Sequence, residues 1–138
     1  MSLVVDMMAA LESVVRAAVP AIPAGALGVT RGFRAADELD GNEVPHLAIW
    51  DPTERPSALP YRQTRVECGL RLAVIRPATD TFNASAGDWE SIRLAIDADP
   101  TLAGLVDACD VSLEAIQDPS SEALYRIAVI AAAAFKEF

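Results

Sequence analysis

The sequence predicts an α+β fold for residues 1–138, as a single domain with a mainly antiparallel sheet flanked by an N-terminal helix and a second helix near residues 86–98. Three observations predict this class: a helical apolar repeat near the N-terminus, a long alternation of apolar and polar residues in the middle, and a second helical repeat after it. A chain of 138 residues suits one hydrophobic core. Its 52% hydrophobic and 22% charged residues exclude a chain that is disordered throughout.

The first predicted element is an amphipathic helix from about Val4 to Val19. Its apolar side chains recur at helical spacing, at Val4, Met8, Leu11, Val15 and Ala18. Pro20 and Pro23 end the helix, because proline lacks an N–H group and disfavours the helical conformation of the preceding residue. Between Gly28 and Arg34 we expect a short strand.

Two further strands are predicted in the middle of the chain. His46 to Trp50 is a short strand that ends at Asp51-Pro52, and the three prolines from Pro52 to Pro60 predict a loop without ladder partners. The segment from Arg62 to Arg76 alternates with period two. Its apolar face carries Thr64, Val66, Cys68, Leu70, Leu72 and Val74, and its polar face carries Gln63, Arg65, Glu67, Gly69 and Arg71. We therefore expect a central antiparallel strand that is covered on one face only.

A second helix is predicted from about Ala86 to Ala98. Its apolar residues are Trp89, Ile92 and Ile96, and we expect Ser85 to cap it, with Asp88 as the acidic third residue. After the helix, a turn is predicted over Asp99-Pro100-Thr101-Leu102-Ala103-Gly104-Leu105-Val106.

Two strands close the predicted fold. Val111 and Leu113 indicate the first of them. In the last segment, Ala123 to Phe138, four successive alanines favour a helix, whereas β-branched and aromatic residues favour a strand. The neighbouring strand and turn signals favour a strand here too.

Charge and cysteine content bound the function. The formal net charge of −9 disfavours nucleic-acid binding, because such a surface repels phosphate. Cys68 and Cys109 form no CxxC pair and are expected to be buried thiols in a reducing cytoplasm, where we expect the chain to be made. No export signal is recognisable, and the longest apolar run, Ile127 to Phe135, is too short to span a membrane. We expect no membrane partner and no sequence-specific nucleic-acid partner.

No motif indicates catalysis or a bound cofactor. His46 is the single histidine, no GxSxG motif is present, and we expect a structural or surface histidine. A zinc site from His46, Cys68 and Cys109 would need a fourth ligand. The acidic segment Asp37 to Glu43 fails the EF-hand pattern, since Leu39 stands at a ligand position and the glycine comes fifth, so we expect a solvated loop. We predict no catalytic residue, no metal, no cofactor and no enzymatic activity.

Other charged residues have plain structural interpretations. Asp97 and Asp99 flank a helix end and are expected to be turn and capping groups. On the polar face of the main strand, Arg65, Glu67 and Arg71 indicate cross-strand charge pairing rather than a nucleic-acid platform.

Taken in order, the segments resemble the tail terminator proteins (tail completion or minor tail proteins) of long-tailed bacteriophages and prophages. The segments that carry the resemblance are Val44-Pro45-His46-Leu47-Ala48-Ile49-Trp50, Arg62 to Val74, Trp89 to Ile96, and the turn from Asp99 to Val106. The turn is the best single match. The alanine-rich closing segment and the acidic segment before Pro45 differ from the family pattern.

The resemblance implies a structural role in the virion tail or neck. The chain would form a homo-oligomeric ring, typically of six copies, that caps the tail tube, ends tail polymerisation and offers a docking surface for the head. Its partners would be further copies of itself, the tail tube protein and head–tail connector proteins. Because the proline-rich loop is expected to be rigid, exposed and long for a hairpin connection, its residues Trp50, Asp51, Glu54 and Arg55 are the candidate assembly contacts; the alternative is a hairpin tip without a partner.

Two alternatives stay open on the sequence. One is a head–tail connector or neck protein of the same class, which overlaps the terminators in size and fold. The other is a small-molecule-binding α+β domain, or an enzyme subunit, with Trp89, Tyr125 or Cys109 inside a pocket between sheet and helices.

Overall fold

A computed structural model describes residues 2–32, 38–58, 64–117 and 125–138. Within these residues, two helices and five strands form the predicted α+β fold. In chain order they are α1 (Leu3–Ala18), β1 (Val29–Arg31), β2 (His46–Ala58), β3 (Thr64–Pro77), α2 (Phe82–Ala98), β4 (Ala108–Gln117) and β5 (Tyr125–Glu137). Short 3₁₀ turns at Gly25–Leu27 and Gly41–Glu43 precede β1 and β2.

The strands form one sheet in the order β1-β2-β3-β5-β4. β1 pairs with β2 in parallel, and every other neighbouring pair is antiparallel. β3 lies at the centre with β2 and β5 on its two sides, as the alternating pattern predicted. The expected strand between Gly28 and Arg34 is present as β1, and its last two positions, 33 and 34, lie outside the described residues.

β5 confirms the strand prediction for the alanine-rich segment. Its alanines alternate between the two faces of the sheet: Ala132 and Ala134 are buried, whereas Ala133 is exposed. The strand pairs with β3 over thirteen residue pairs, from Arg65 with Glu137 to Pro77 with Tyr125. Pairing on both sides outweighs the helix propensity of alanine, because that propensity amounts to less than about 1 kcal/mol per residue.

Both helices contribute to a main core on one face of the sheet. α1 buries Met7, Leu11 and Val15, and α2 buries Ile92 and Ile96. The sheet side of this core comes from alternate residues of the three inner strands: Leu47, Ile49, Cys68, Leu70, Leu72, Val74, Ile130, Ala132 and Ala134. The apolar face of the alternating strand β3 therefore packs against the apolar faces of α1 and α2.

A smaller core covers one end of the opposite face, which corrects the expectation that β3 is covered on one face only. Ala73 and Ile75 of β3 are buried there beneath Leu39, and the Tyr125 hydroxyl donates a 2.7 Å hydrogen bond to the Leu39 carbonyl. Glu43, in the same acidic segment, is also buried. The expectation of a solvated loop is therefore corrected at Leu39 and Glu43, whereas Glu38, Asp40, Gly41 and Asn42 are exposed.

β2 continues through the prolines, so the loop predicted from Pro52 onwards is wrong as far as Ala58. Thr53 to Ala58 pair with Gly69 to Thr64, and positions 59–63 lie outside the described residues. An extra residue at Asp51-Pro52 makes a β-bulge, where Asp51 has a left-handed φ of 57°. β1 pairs only with positions 47–49 of β2, so the later prolines lie on an edge, where a missing N–H is tolerated.

The start of α2 also differs from the prediction. The helix begins four residues earlier, at Phe82, and Thr81 is its cap, since the Thr81 hydroxyl accepts a 3.3 Å hydrogen bond from the Ala84 N–H. Ser85 and Asp88 are buried inside the helix instead of capping it. Asp88 is turned towards the sheet because it pairs with Arg76.

Candidate functional site: the open end of the sheet

The sheet face opposite the helices is covered at one end and exposed at the other. The exposed end is made by Thr53–Ser57 of β2, Arg65–Arg71 of β3, Ala131–Glu137 of β5 and Ala108–Glu114 of β4. We call this region the open surface. Because successive side chains of a strand point to opposite faces, only alternate residues of these segments lie on it.

The four candidate contact residues do not form one loop. Trp50 packs against the smaller core, and Asp51 occupies the bulge, with its carboxylate 3.7 Å from Arg71. Glu54 is paired in register with the buried Cys68 and faces the helices. Arg55 is exposed and lies on the open surface. The structure therefore brings Arg55 and Asp51 to one face and separates Glu54 from them.

Glu54 is used inside the molecule. Its Oε1 accepts hydrogen bonds from the Val4 N–H at 2.9 Å and from the Ser2 hydroxyl at 3.1 Å. The Val4 N–H belongs to the first turn of α1, where backbone donors lack partners within the helix. The backbone hydrogen bond from Val4 lowers the pKa of Glu54 below its ordinary value of 4.5. Glu54, which lies on β2, therefore caps the N-terminus of α1.

Ion pairs order most of the charges on the open surface, as the sequence predicted. Arg65 lies 3.3 Å from Glu67 and 3.4 Å from Glu137, and its guanidinium stacks 4.0 Å above the Phe135 ring. Exposed pairs of this kind contribute little to stability, but they fix where each side chain points.

Arg71 makes the second set of pairs. Its Nε lies 3.2 Å from Glu114 Oε1 on β4, in addition to the pairing with Asp51 on β2. One arginine on the central strand thus ties together both outer strands of the open surface.

A depression of about 490 Å³ lies in the middle of the open surface. Gly69 and Ala133, which are paired in register, form its floor. A Cβ added at Gly69 would lie 2.9 Å from Thr53 Oγ1, so a side chain at this position would displace the Thr53 side chain and begin to fill the depression. Arg55 and Asp110 stand at its two sides, on β2 and β4.

Asp110 is the residue of this surface that the sequence analysis missed. Its predecessor Cys109 is buried among the helix-side core residues, so the alternation of β4 directs Asp110 to the open surface. That signal was present in the sequence, but it needed the register of β4 against β5, which pairs Asp110 with Ala133.

His46 is completely buried, and both ring nitrogens have partners. Nδ1 lies 3.1 Å from the Glu43 carbonyl oxygen and Nε2 lies 2.8 Å from Thr30 Oγ1. The carbonyl can only accept, so Nδ1 donates and Nε2 accepts from the Thr30 hydroxyl. This histidine joins β1 and β2 to the 3₁₀ turn before β2.

The cysteines lie in the opposite layer from His46. Cys68 and Cys109 are both free and buried in the main core. Burial raises the pKa of Cys68, and it raises the pKa of Cys109 from 9.0 to about 11. In the described parts of the chain, no group of three or more His, Cys, Asp or Glu residues is placed to hold a metal ion.

The residues proposed for a small-molecule pocket are divided between the two faces of the sheet. Cys109 belongs to the main core and Trp89 packs against it. Tyr125 packs against the smaller core on the other face. The structure therefore brings Trp89 and Cys109 to one layer and does not bring Tyr125 to them.

The turn from Asp99 to Val106 has a definite hydrogen-bond pattern. The Asp99 carboxylate accepts from the Ala103 N–H and the Thr101 hydroxyl, both at 2.8 Å, and Thr101 Oγ1 accepts from the Gly104 N–H at 3.1 Å. Leu102, Ala103 and Gly104 all have left-handed φ angles, of 52°, 59° and 84°. Asp99 is a turn residue as predicted, and the bond from Thr101 is the main reason that its pKa is lowered.

Among the described residues, no helix is both long enough and apolar enough to cross a membrane. Comparison of the chain with models of known protein families and with curated proteins found no match.

Proposed function

We propose that this chain is a structural protein of phage tail assembly, which forms a ring, typically of six copies, on the end of the tail tube. The ring would end tail polymerisation and present a docking surface to the head. The proposal rests on the resemblance of four segments in chain order, of which the turn from Asp99 to Val106 is the most specific.

The single observation that carries the proposal beyond resemblance is the open surface. It is a broad sheet end with exposed residues on all four antiparallel strands, and two of its arginines, Arg65 and Arg71, form ion pairs with carboxylates of other strands. Its depression is open to solvent and is lined by small and charged residues together with Phe135. A surface of this form suits contact with another protein better than enclosure of a substrate.

The charge of the chain agrees with the proposed position in the particle. DNA has to slide through the lumen of a tail, and a ring of chains that each carry a net charge of −9 would not hold phosphate.

Native mass spectrometry of the purified protein at several concentrations, with negative-stain imaging, tests the proposal. Six copies of the 14.6 kDa chain would give a closed ring of about 88 kDa. In addition, the protein should bind to the free ends of purified, unterminated tail tubes. A monomer or dimer that carries a small ligand and does not bind tube ends would contradict the proposal and favour a ligand-binding domain. Binding to the head side alone would favour the connector alternative.

A further inference from the structure

We propose that the open surface carries a head-to-tail contact between copies of this chain, in which Arg55 of one copy pairs with Asp110 of the next. The inference rests on the proposed function, because a homo-oligomeric ring supplies the second copy. It goes further by naming the two surfaces that meet and the charges that hold them.

Three charged residues that line the depression have no ion pair among the described residues: Glu54, Arg55 and Asp110. The Glu54 carboxylate accepts hydrogen bonds from Val4 and Ser2, which leaves Arg55 and Asp110 as the two without a partner in the described parts of the chain. The other charges of the open surface are paired within the chain: Arg65 with Glu67 and Glu137, and Arg71 with Asp51 and Glu114. The two unpaired residues have opposite charge. Each is exposed and lies on an outer strand.

The sheet keeps Arg55 and Asp110 apart within one molecule. Arg55 pairs with Glu67, Glu67 with Phe135 and Phe135 with Ala108, and Asp110 lies two residues further along β4. Three strand spacings of 4.7–4.9 Å separate β2 from β4 by about 14 Å, and the two-residue offset adds to this distance. The side chains of Glu67 and Phe135 lie between the two strands at the level of Arg55. Neither charge can be neutralised by the other in the same copy.

The strand directions allow the same two residues to meet between copies. β2 and β4 lie at opposite sides of the open surface and run antiparallel to each other, since each is antiparallel to the strand that it borders and β3 is antiparallel to β5. If β2 of a second copy lies outside β4, the antiparallel order of the sheet continues and the two open surfaces face the same way. In the register that places Thr53 of that copy beside Ser112, Arg55 lies beside Asp110.

This arrangement uses two different patches of one chain, which makes it a heterologous contact. Such contacts close into rings when the rotation between copies allows it, whereas a two-fold contact stops at a dimer. The occupant is therefore a second copy of the chain, because the chain itself carries both complementary charges at its two opposite edges.

Side chains rather than a backbone ladder would determine the contact. Pro52 and Pro56 lie in the part of β2 that no strand borders on its outer side among the described residues. Proline cannot donate to a ladder, and prolines on an edge oppose uncontrolled strand pairing. The pairing of Arg55 with Asp110 would then give the contact its specificity, and substitutions that remove the pair should weaken oligomer formation.

Cysteine cross-linking tests the contact even if it is weak. Cysteines are placed beside the two charges so that Arg55 and Asp110 stay in the protein: Thr53→Cys and Ser112→Cys, both at exposed positions, are purified separately, mixed at high concentration and treated with a short bismaleimide. We expect a cross-linked heterodimer of about 29 kDa, twice the chain mass of 14.6 kDa, and a ladder of multimers from the double variant T53C/S112C. Cys68 and Cys109 are buried with raised pKa values, so the wild-type protein gives the background.

Glu90→Cys provides the matched control, since Glu90 is an exposed carboxylate on α2, in the opposite layer. Its mixture with Ser112→Cys should stay at background. A heterodimer yield from T53C and S112C that does not exceed this control would overturn the inference. Homodimers of T53C alone in excess of heterodimers would overturn it as well, because they would report a two-fold contact.

Charge reversal provides an independent measurement. We expect R55E and D110R each to reduce the oligomer population by about tenfold at a fixed concentration, and the combination R55E/D110R to restore it. If wild-type rings of the expected mass form but neither the cross-link nor the rescue is observed, the inference fails and the proposed function survives. If the heterodimer forms but no ring closes and no tube end is bound, the contact survives and the proposed function fails.

Discussion

The carboxylate of Glu54, midway along β2, accepts the backbone N–H of Val4 at 2.9 Å and so fastens the outer part of β2 to the first turn of α1. Fifty residues separate the two positions in the chain. Ser2 precedes the helix but makes no capping bond with its own side chain, so the cap comes from the sheet instead. The bond thereby couples the orientation of α1 to the strand that borders the open surface.

We expect Glu54→Ala to lower the melting temperature by about 2–5 °C, because a first-turn donor of α1 loses its partner. Glu54→Gln should retain part of the effect, since its amide oxygen still accepts. Thermal unfolding followed by circular dichroism measures both, with the exposed Ser112→Ala on β4 as the control. Equal melting temperatures for Glu54→Ala and the control would show that the bond contributes nothing.

The same bond predicts a pH dependence. The pKa of Glu54 is lower in the folded state than its ordinary value of 4.5, because the carboxylate form accepts the Val4 N–H. Its contribution is therefore present above about pH 4.5 and is lost as the pH falls through the lower folded pKa. Melting curves between pH 3 and pH 7 should show a smaller acid loss for Glu54→Gln than for the wild type.

Arg76 and Asp88 join β3 to α2 through a bidentate ion pair. Arg76 Nη2 lies 2.7 Å from Asp88 Oδ1, and Nε donates to Oδ2. The two side chains are 16% and 7% exposed. Asp88→Ala leaves Arg76 paired with Asp80 alone, whose Oδ2 lies 3.1 Å from Arg76 Nη1, so we expect a loss of about 2 kcal/mol, less than for a buried charge with no partner. Urea unfolding measures this loss.

Two further variants test the cause of that loss. The combination R76M/D88L should recover much of the stability, because neither charge stays buried. Glu90→Ala breaks the exposed pair of Glu90 with Arg93 on the same helix, 2.7 Å apart, and should change stability by less than about 0.5 kcal/mol. A loss for Asp88→Ala as small as that of Glu90→Ala would refute a buried pair.

The turn after α2 predicts opposite effects at two adjacent residues. Ala103 and Gly104 are both exposed and both have left-handed φ angles. Gly104→Ala should destabilise the protein by about 1 kcal/mol, because alanine disfavours this conformation. Ala103→Gly should not destabilise it and should gain up to about 0.5 kcal/mol, since the relief of strain exceeds the entropy that glycine adds to the unfolded chain. Urea unfolding of the two variants side by side checks the sign, and losses of equal size would contradict the left-handed turn.

Cys109 predicts a loss of stability in alkali. Burial raises the pKa of its thiol from 9.0 to about 11. Between these values the unfolded chain releases a proton that the folded chain keeps, so stability falls as the pH rises, by at most about 1.4 kcal/mol per pH unit. Urea unfolding at pH 8, 9 and 10 should show a shallower decline for Cys109→Ala than for the wild type. Parallel declines would contradict the assignment.

The strongly periodic elements were predictable because the spacing of their apolar residues indicates which face is buried. β3 alternates along most of its length, and the residues of its apolar face from Cys68 to Val74 are the ones that the main core buries. α1 repeats at helical spacing, and four of its five predicted core positions are buried, with Met7 in addition. These patterns also led to the α+β class, which the structure confirms.

The continuation of β2 through Pro52 and Pro56 was not predictable from local signals. Proline argues against a strand unless the strand lies at an edge, and the edge position follows from β1 being only three residues long. The start of α2 was misplaced for a similar reason. Ser85 and Asp88 have the residue types of a capping box. However, the Asp88 carboxylate accepts a hydrogen bond from Arg76 on β3 instead of capping the helix.

The sequence by itself determined the α+β class, the central place of β3, the core face of α1 and the turn at Asp99, because each depends on the spacing of neighbouring residues. Tertiary structure alone decided that Glu54 caps α1, that Leu39 covers the second face of the sheet, and that Arg55 and Asp110 flank one depression without reaching each other. These relationships depend on strand order and register, which bring together residues far apart in the chain and leave no periodic trace in it.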